Sequence, residues 1–177
     1  MNIEKQPSLK PVDVVVALQL TVSPESTFSD LARAVGISHG EAHNSLRRLR
    51  TSRLTRPGKR AIAVEKLLSF ITCGVPVVYP AVYGPESPGV PTAHSAHPFA
   101  PHVAADDEPL VWANAEGVVR GTSLTPLFPN APALSRTNQQ LYELITLVDS
   151  IRIGRSRETA IAIDLLAKRI NAATSGS

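Results

Sequence analysis

Two helix-start signals only eleven residues apart constrain this chain more than any other feature of its sequence. Thr27 is followed three positions later by Asp30, and Ser38 is followed at the same spacing by Glu41. A hydroxyl residue with an acidic residue at this spacing fits a capping box, in which the two side chains satisfy free N–H groups at a helix start. Gly36 lies between the two signals and supplies a sharp turn. The pattern predicts two short helices joined tightly.

Apolar spacing predicts how the second of these helices is oriented. Its buried face is predicted at helical spacing by Ala42, Leu46 and Leu49. Residues between these positions then point outward, because side chains three or four positions apart share one helix face. The outward residues are Gly40, His43, Asn44 and Arg47.

The outward residues have the chemistry of DNA recognition. Gly40 permits close backbone approach, Asn44 can form two hydrogen bonds with adenine, and Arg47 can do so with guanine. His43 can donate to a base edge or a phosphate. Arginines nearer the sides of the helix suit phosphate contacts, namely Arg48, Arg50 and Arg53. The full set of predicted DNA-binding residues is Thr27, Ser38, His39, Gly40, His43, Asn44, Arg47, Arg48, Arg50, Arg53, Arg56, Lys59 and Arg60.

Positive charge is concentrated in the same segment. Residues 27–60 contain eight basic and two acidic residues, whereas the rest of the chain has ten basic and thirteen acidic ones. A basic segment in an otherwise acidic chain is typical of a domain that binds a polyanion. The alternative is an arginine-rich helix that is merely solvated.

Residues 12–60 resemble the winged helix-turn-helix domain of bacterial transcription regulators of the MarR and IclR kind. The string Leu31-Ala-Arg-Ala-Val-Gly-Ile-Ser matches the "LAxxxGxS" core of those domains. The resemblance implies that the helix starting at Ser38 is the recognition helix and that residues 54–60 form a short wing. The segment after Gly58 favours a helix over a long second wing strand. A winged helix used only for protein contacts is the alternative.

The remaining chain predicts a mainly α fold with a small β component, of the α+β class. We expect a winged helix-turn-helix domain over 1–74, followed over 75–177 by a proline-rich segment, a β-hairpin and two C-terminal helices. Further helices are predicted over Pro11–Val22 and Ala61–Cys73, the second ended by Gly74. The hairpin is predicted from Leu110–Ala113 and Val118–Thr122 around Asn114-Ala115-Glu116-Gly117.

Residues 76–109 hold eight of the fifteen prolines, which excludes a helix there. Extended chain is expected, with a mobile, exposed part over 87–102. His94, His97 and His102 fall in this part and are followed by Asp106, Asp107 and Glu108. A divalent metal site is therefore the alternative to solvated loop residues. Cys73 is expected to be a small buried hydrophobe.

Several classes of function are disfavoured by what the sequence lacks. One cysteine excludes an internal disulfide and a four-thiolate zinc site. No apolar run reaches the ~18 residues of a membrane span, and no signal-peptide cleavage site is clear. No catalytic triad, phosphate-binding glycine loop or paired-carboxylate motif is recognisable, so an enzyme, a cofactor and a bound metal are not expected. We expect a cytoplasmic protein.

The last two helices are amphipathic, and we expect them to pair two copies of the chain. The stripe consists of Leu141, Leu144, Ile145, Val148 and Ile151, and it must be buried against something. The sequence therefore predicts a sequence-specific regulator that binds double-stranded DNA as a homodimer, acting as a repressor. The main alternative is a DNA-binding antitoxin or interaction module whose C-terminal half neutralises a partner protein. Closure of the stripe within one monomer also remains open.

Overall fold

The chain forms a mixed α+β fold that is mostly helical. The structure is a computed structural model that describes residues 8–58, 60–102 and 108–175. The first three helices are α1 (Pro11–Val22), α2 (Phe28–Val35) and α3 (His39–Thr51). The three predicted helices are confirmed.

The predicted caps explain where α2 and α3 begin. Thr27 Oγ1 accepts a hydrogen bond from the Asp30 N–H at 3.1 Å, and the Asp30 carboxylate accepts one from the Thr27 N–H at 3.2 Å. Ser38 Oγ accepts the Glu41 N–H at 3.1 Å. Gly36 ends α2 at φ +76°, in the left-handed region that glycine enters without strain.

After α3 the chain turns back through a minimal hairpin over residues 54–63. Thr55 and Ile62 form a single antiparallel bridge, and the Arg56 N–H donates to the Ala61 carbonyl at 2.8 Å. The hairpin leads directly into helix rather than into a long second strand. The winged arrangement as a whole stays a prediction.

The helix predicted over 61–73 begins later and continues further. Its parts are α4 (Val64–Ser69), a π-helical turn (Phe70–Gly74) and α5 (Val75–Val78). Gly74 therefore does not end the helix, and α5 enters the proline-rich segment as far as Val78; both findings are contrary to the predictions. Pro76 has no N–H to donate, so the regular hydrogen-bond ladder is interrupted there. The wider turn, in which the Val75 N–H bonds to the Phe70 carbonyl, accommodates this interruption.

Three strands close into a small barrel whose pairing differs from the predicted hairpin. They are β1 (Tyr83–Pro91), β2 (Leu110–Ala113) and β3 (Val119–Leu124). β1 is antiparallel to both of the others, and Gly89 lies opposite Ala113 of β2 and Val119 of β3. β2 and β3 are parallel to each other. The hairpin prediction is therefore wrong, because β1 supplies the antiparallel partner for both strands.

The segment predicted to be mobile and exposed is largely packed. Ser87 belongs to β1, and two 3₁₀ turns follow at Ala93–Ser95 and Ala100–His102. Phe99 is fully buried and His94 is only 5% exposed. The prediction of an exposed loop over 87–102 is wrong, since its apolar side chains join the core.

The C-terminal half contains the central helix of the molecule. Its helices are α6 (Ala131–Thr137), α7 (Gln139–Ile153) and α8 (Ser156–Ser175). Every side chain of the predicted pairing stripe on α7 is at most 3% exposed within one chain. The stripe therefore closes inside the monomer, and its assignment to a dimer interface is wrong. A homodimer stays a prediction without an assigned surface.

Polar residues on α7 are buried as well, and they connect it to the barrel. Asp149 is fully buried and accepts hydrogen bonds from Trp112 Nε1 at 2.7 Å and Thr92 Oγ1 at 2.8 Å. Arg152 pairs with the same carboxylate. Burial raises the pKa of the Asp149 carboxyl above its usual value. Thr92 follows β1 and Trp112 lies in β2, so this network joins α7 to the barrel.

One hydrophobic core runs through both halves of the chain. It includes Leu18 of α1, Leu46 of α3, Leu147 of α7 and Ile170 of α8. α1 contacts α2 and α3 as well as α7 and α8. The N-terminal helices therefore share their core with the C-terminal half, and the division into 1–74 and 75–177 stays a prediction. Within the described ranges, no helix is both long and apolar enough to cross a bilayer.

Two asparagines that flank α6 hold the turn between α2 and α3. Asn130 Nδ2 donates to the Gly36 carbonyl at 2.6 Å. Asn138 Nδ2 donates to Gln19 Oε1 at 2.8 Å and to the Ala34 carbonyl at 3.1 Å. The C-terminal half thus bonds directly to the element that orients α3.

Candidate nucleic-acid interface

The outer face of α3 carries the residues that the helical spacing predicted. His39, Gly40, His43 and Arg47 are exposed, and Asn44 is half-buried. The inner face packs into the core through Ala42, Ser45, Leu46 and Leu49, all at most 1% exposed. The predicted inward and outward faces are therefore confirmed.

A buried carboxylate sets the rotation of α3 about its axis. Asp13 of α1 is fully buried and accepts a hydrogen bond from Ser45 Oγ at 2.6 Å. It also accepts two from Arg48, from Nε and from one terminal nitrogen, both at 2.7 Å. The same terminal nitrogen donates to Glu41 at 2.6 Å. These bonds hold one side of α3 against α1.

Arg48 is therefore not placed as the sequence predicted. Its side chain is 12% exposed, and hydrogen bonding to Asp13 raises the pKa of its guanidinium above the usual value. A phosphate contact would require Arg48 to leave a buried carboxylate unpaired, which is costly. We remove Arg48 from the candidate DNA-binding residues. Glu41 is occupied by Arg48, so only the Ser38 half of the second capping box forms.

Phe28, at the start of α2, gathers three of the candidate side chains. Its ring centroid lies 5.7 Å from that of His39 and 5.3 Å from that of His43. The Arg60 guanidinium carbon lies 4.3 Å from the ring centroid, within the range of a cation–π contact. Arg60 also donates to the Ser26 carbonyl at 3.1 Å. The hairpin over 54–63 is thus attached to the start of α2 by Arg60.

Beyond the last turn of α3 lies an open cleft of about 730 Å³, here called the basic cleft. Of the described residues, four cationic side chains line it, together with Thr55, Pro57 and Gly58. The four are Arg50, Arg53, Arg56 and Lys66. None of these four forms an ion pair with a carboxylate in the described part of the chain. Unpaired cations in a concave site raise the local concentration of anions.

Comparisons with protein-family models, with curated protein sequences and with solved structures found no match to this chain.

The structure brings candidate residues together in two groups, one around Phe28 and one at the basic cleft, with some exceptions. Thr27 and Ser38 are exposed helix caps whose oxygens already accept backbone N–H groups. Lys59 lies outside the described residues. Lys66 of α4 was missed because no local motif marks it, and only the return of the chain through residues 54–63 brings it beside Arg50.

The weaker alternatives gain nothing from the geometry. His94 is buried and lies 3.1 Å from the Glu108 carbonyl, whereas His97 is exposed and lies 3.3 Å from Glu143. Across the described ranges, no three metal-ligating side chains form a group. Asp106 and Asp107 lie outside those ranges. Cys73 is exposed, which corrects the expectation that it is buried.

Proposed function

We propose that this chain is a sequence-specific regulator that binds double-stranded DNA through α3. The observation that carries the proposal is the outer face of α3, which presents Asn44 and Arg47 beside exposed histidines and continues into the basic cleft. Its opposite face is packed, so the helix offers one surface only. An α-helix of this kind fits the major groove, where base pairs present distinct donors and acceptors.

The proposed roles divide between bases and backbone. Arg47 and Asn44 recognise base edges, since each can make paired hydrogen bonds to a single base. Arg50, Arg53 and Arg56 contact phosphates, which positions the protein without selecting sequence. The proposed regulator is a repressor that acts by occupying its site. Pairing of two copies on a symmetric site would match this mode of binding.

The first experiment is to sequence genomic DNA fragments retained by the purified chain, then to measure affinity for the enriched site and for random DNA. Arg47→Ala and Asn44→Ala should each cost about 1–3 kcal/mol at the enriched site and little on random DNA. Arg50→Ala should weaken both equally. Arg157, exposed on α8, provides the control: Arg157→Ala should change neither.

Salt dependence tests the electrostatic part of the proposal. Each phosphate that is neutralised releases counterions, with a slope of about −0.9 in log affinity against log salt. A binding constant that hardly changes between about 50 and 200 mM salt would exclude the cationic face as the DNA surface. The absence of any enriched sequence would exclude specific recognition.

A further inference from the structure

The basic cleft concentrates positive charge at the end of α3. Its four cations converge from three elements: Arg50 from α3, Arg53 and Arg56 from the turn that follows, and Lys66 from α4. No carboxylate lines the cleft among the residues that the structure describes. Like charges brought together in this way repel one another and destabilise the fold. A bound anion would reverse that cost.

A threonine adds a hydrogen-bonding hydroxyl to the same cleft. Thr55 is 8% exposed and lines the cleft. Its hydroxyl makes no side-chain hydrogen bond to the described residues and can therefore donate to a ligand. The backbone at Thr55 is held by its bridge to Ile62. Thr55 therefore places a hydroxyl group at the wall of the basic cleft from a held stretch of backbone.

Backbone strain marks the same place. Arg53 has φ +59°, in the left-handed region of backbone conformation. Residues other than glycine, asparagine and aspartate rarely adopt it. Such strain persists where surrounding structure imposes it and concentrates at functional sites. Arg53 contributes a cation to the cleft. A glycine at this position would have less backbone strain but would supply no charge.

We propose that the basic cleft binds a small molecule carrying two or more adjacent phosphate groups. Arginine guanidinium matches phosphate oxygens through paired hydrogen bonds. Each phosphate carries about −1.5 to −2 charges at neutral pH, so two or more of them balance four cations. The cleft volume of about 730 Å³ lies within the range of small-molecule sites, which is about 300–1,000 Å³.

Occupancy of the cleft by such a molecule would compete with DNA. Arg50, Arg53 and Arg56 are the side chains proposed to contact the DNA backbone, and one guanidinium cannot serve both ligands fully. This competitive effect rests on the proposed function, whereas binding of the polyphosphate itself does not. Lys66 and Thr55 distinguish the two ligands, because only the cleft involves them.

The test uses inorganic tripolyphosphate as the probe and the full chain without DNA. Calorimetric titration should show one site, and Lys66→Ala should weaken binding about tenfold, the loss expected for one charged hydrogen bond. Thr55→Val, which removes only the hydroxyl, should weaken binding while the chain stays folded. Arg157→Ala is the matched control and should bind as the unaltered chain does. Sulfate at equal ionic strength should not replace tripolyphosphate.

A second measurement adds tripolyphosphate to the DNA complex at constant ionic strength. DNA should be released, and Lys66→Ala should raise the required concentration about tenfold. DNA binding without any tripolyphosphate binding would overturn this inference and leave the proposed function intact. Tripolyphosphate binding without DNA binding would support the cleft and overturn the proposed function. Equal weakening by Arg157→Ala would also overturn the inference.

Discussion

Arg47 and Arg48 are neighbours in the sequence, yet one faces solvent and the other faces Asp13. A helix advances about 100° per residue, so adjacent side chains point in different directions. The charge pattern alone treats the two arginines alike. Only the buried carboxylate on α1 separates their roles, and it lies 35 positions away from Arg48 in the sequence.

Arg48→Ala should destabilise the fold rather than remove a DNA contact. It would leave the fully buried Asp13 without its cation, and breaking a buried pair costs about 3–5 kcal/mol. Urea unfolding measures this loss. Arg47→Ala should lie within about 0.5 kcal/mol of the unaltered chain, as exposed substitutions usually do. Unchanged stability with weakened DNA binding in Arg48→Ala would mean that Arg48 faces the ligand.

Arg53→Gly should stabilise the fold and weaken DNA binding. Glycine adopts the φ of +59° found at Arg53 with less strain, and we expect a gain of about 0.5–1 kcal/mol in the free energy of unfolding. Arg53→Ala is the matched control, because it removes the charge and keeps the strain. It should weaken DNA binding equally without the gain. If both variants have the same stability, the backbone at residue 53 is not strained.

At the level of elements, local signals predicted helices better than strands. The caps at Thr27 and Ser38 act within one turn of chain, and α2 and α3 begin at the predicted positions. The pairing of β2 with β3 depends on β1, which is rich in proline and glycine and lacks an alternating apolar pattern. A pattern confined to one strand cannot reveal a partner elsewhere in the chain.

The barrel depends on close backbone contact at two glycines. A Cβ added at Gly117 would lie 2.3 Å from the Gly89 Cα, which no side-chain movement can relieve. Gly117→Ala should therefore destabilise the fold by about 3 kcal/mol, at the upper end of overpacking effects. Gly40→Ala is the control, since nothing lies within 4 Å of its added Cβ; it should be neutral or stabilise α3 by up to about 1 kcal/mol. Equal thermal stability of the two variants would contradict this packing.

At the level of the whole molecule, α7 is an interior helix. An acidic substitution on its apolar face shows whether that face belongs to the core, because the substitution would then prevent folding. Ile145 is fully buried, so Ile145→Asp buries an unpaired charge and should cost about 4 kcal/mol or more. Val118→Asp is the control, because Val118 is 96% exposed. Circular dichroism should show an unfolded Ile145→Asp chain and a folded Val118→Asp chain. A folded, monomeric Ile145→Asp chain would restore the dimer-interface hypothesis.

Sequence patterns predicted only part of the candidate site and only part of the core. The outer face of α3 was predictable because one helix period places Asn44 and Arg47 together. The basic cleft was only partly predictable, since Lys66 reaches it from another helix through the fold. The burial of the polar side of α7 was not predictable either, because Asp149 and Arg152 are satisfied by partners far away in the sequence, among them Trp112 and Tyr79.

The bonds from Asn130 and Asn138 to the turn between α2 and α3 affect how this protein can be controlled. Rotation of one part of a protein on a hinge is one general way of switching between two states. In this chain α1 packs against both halves, and the two amides anchor the turn, so rotation of α3 would require repacking of the common core. Control by steric exclusion requires no such movement. We therefore expect this protein to be switched off by what occupies its surface, with the backbone of α3 in the same place before and after.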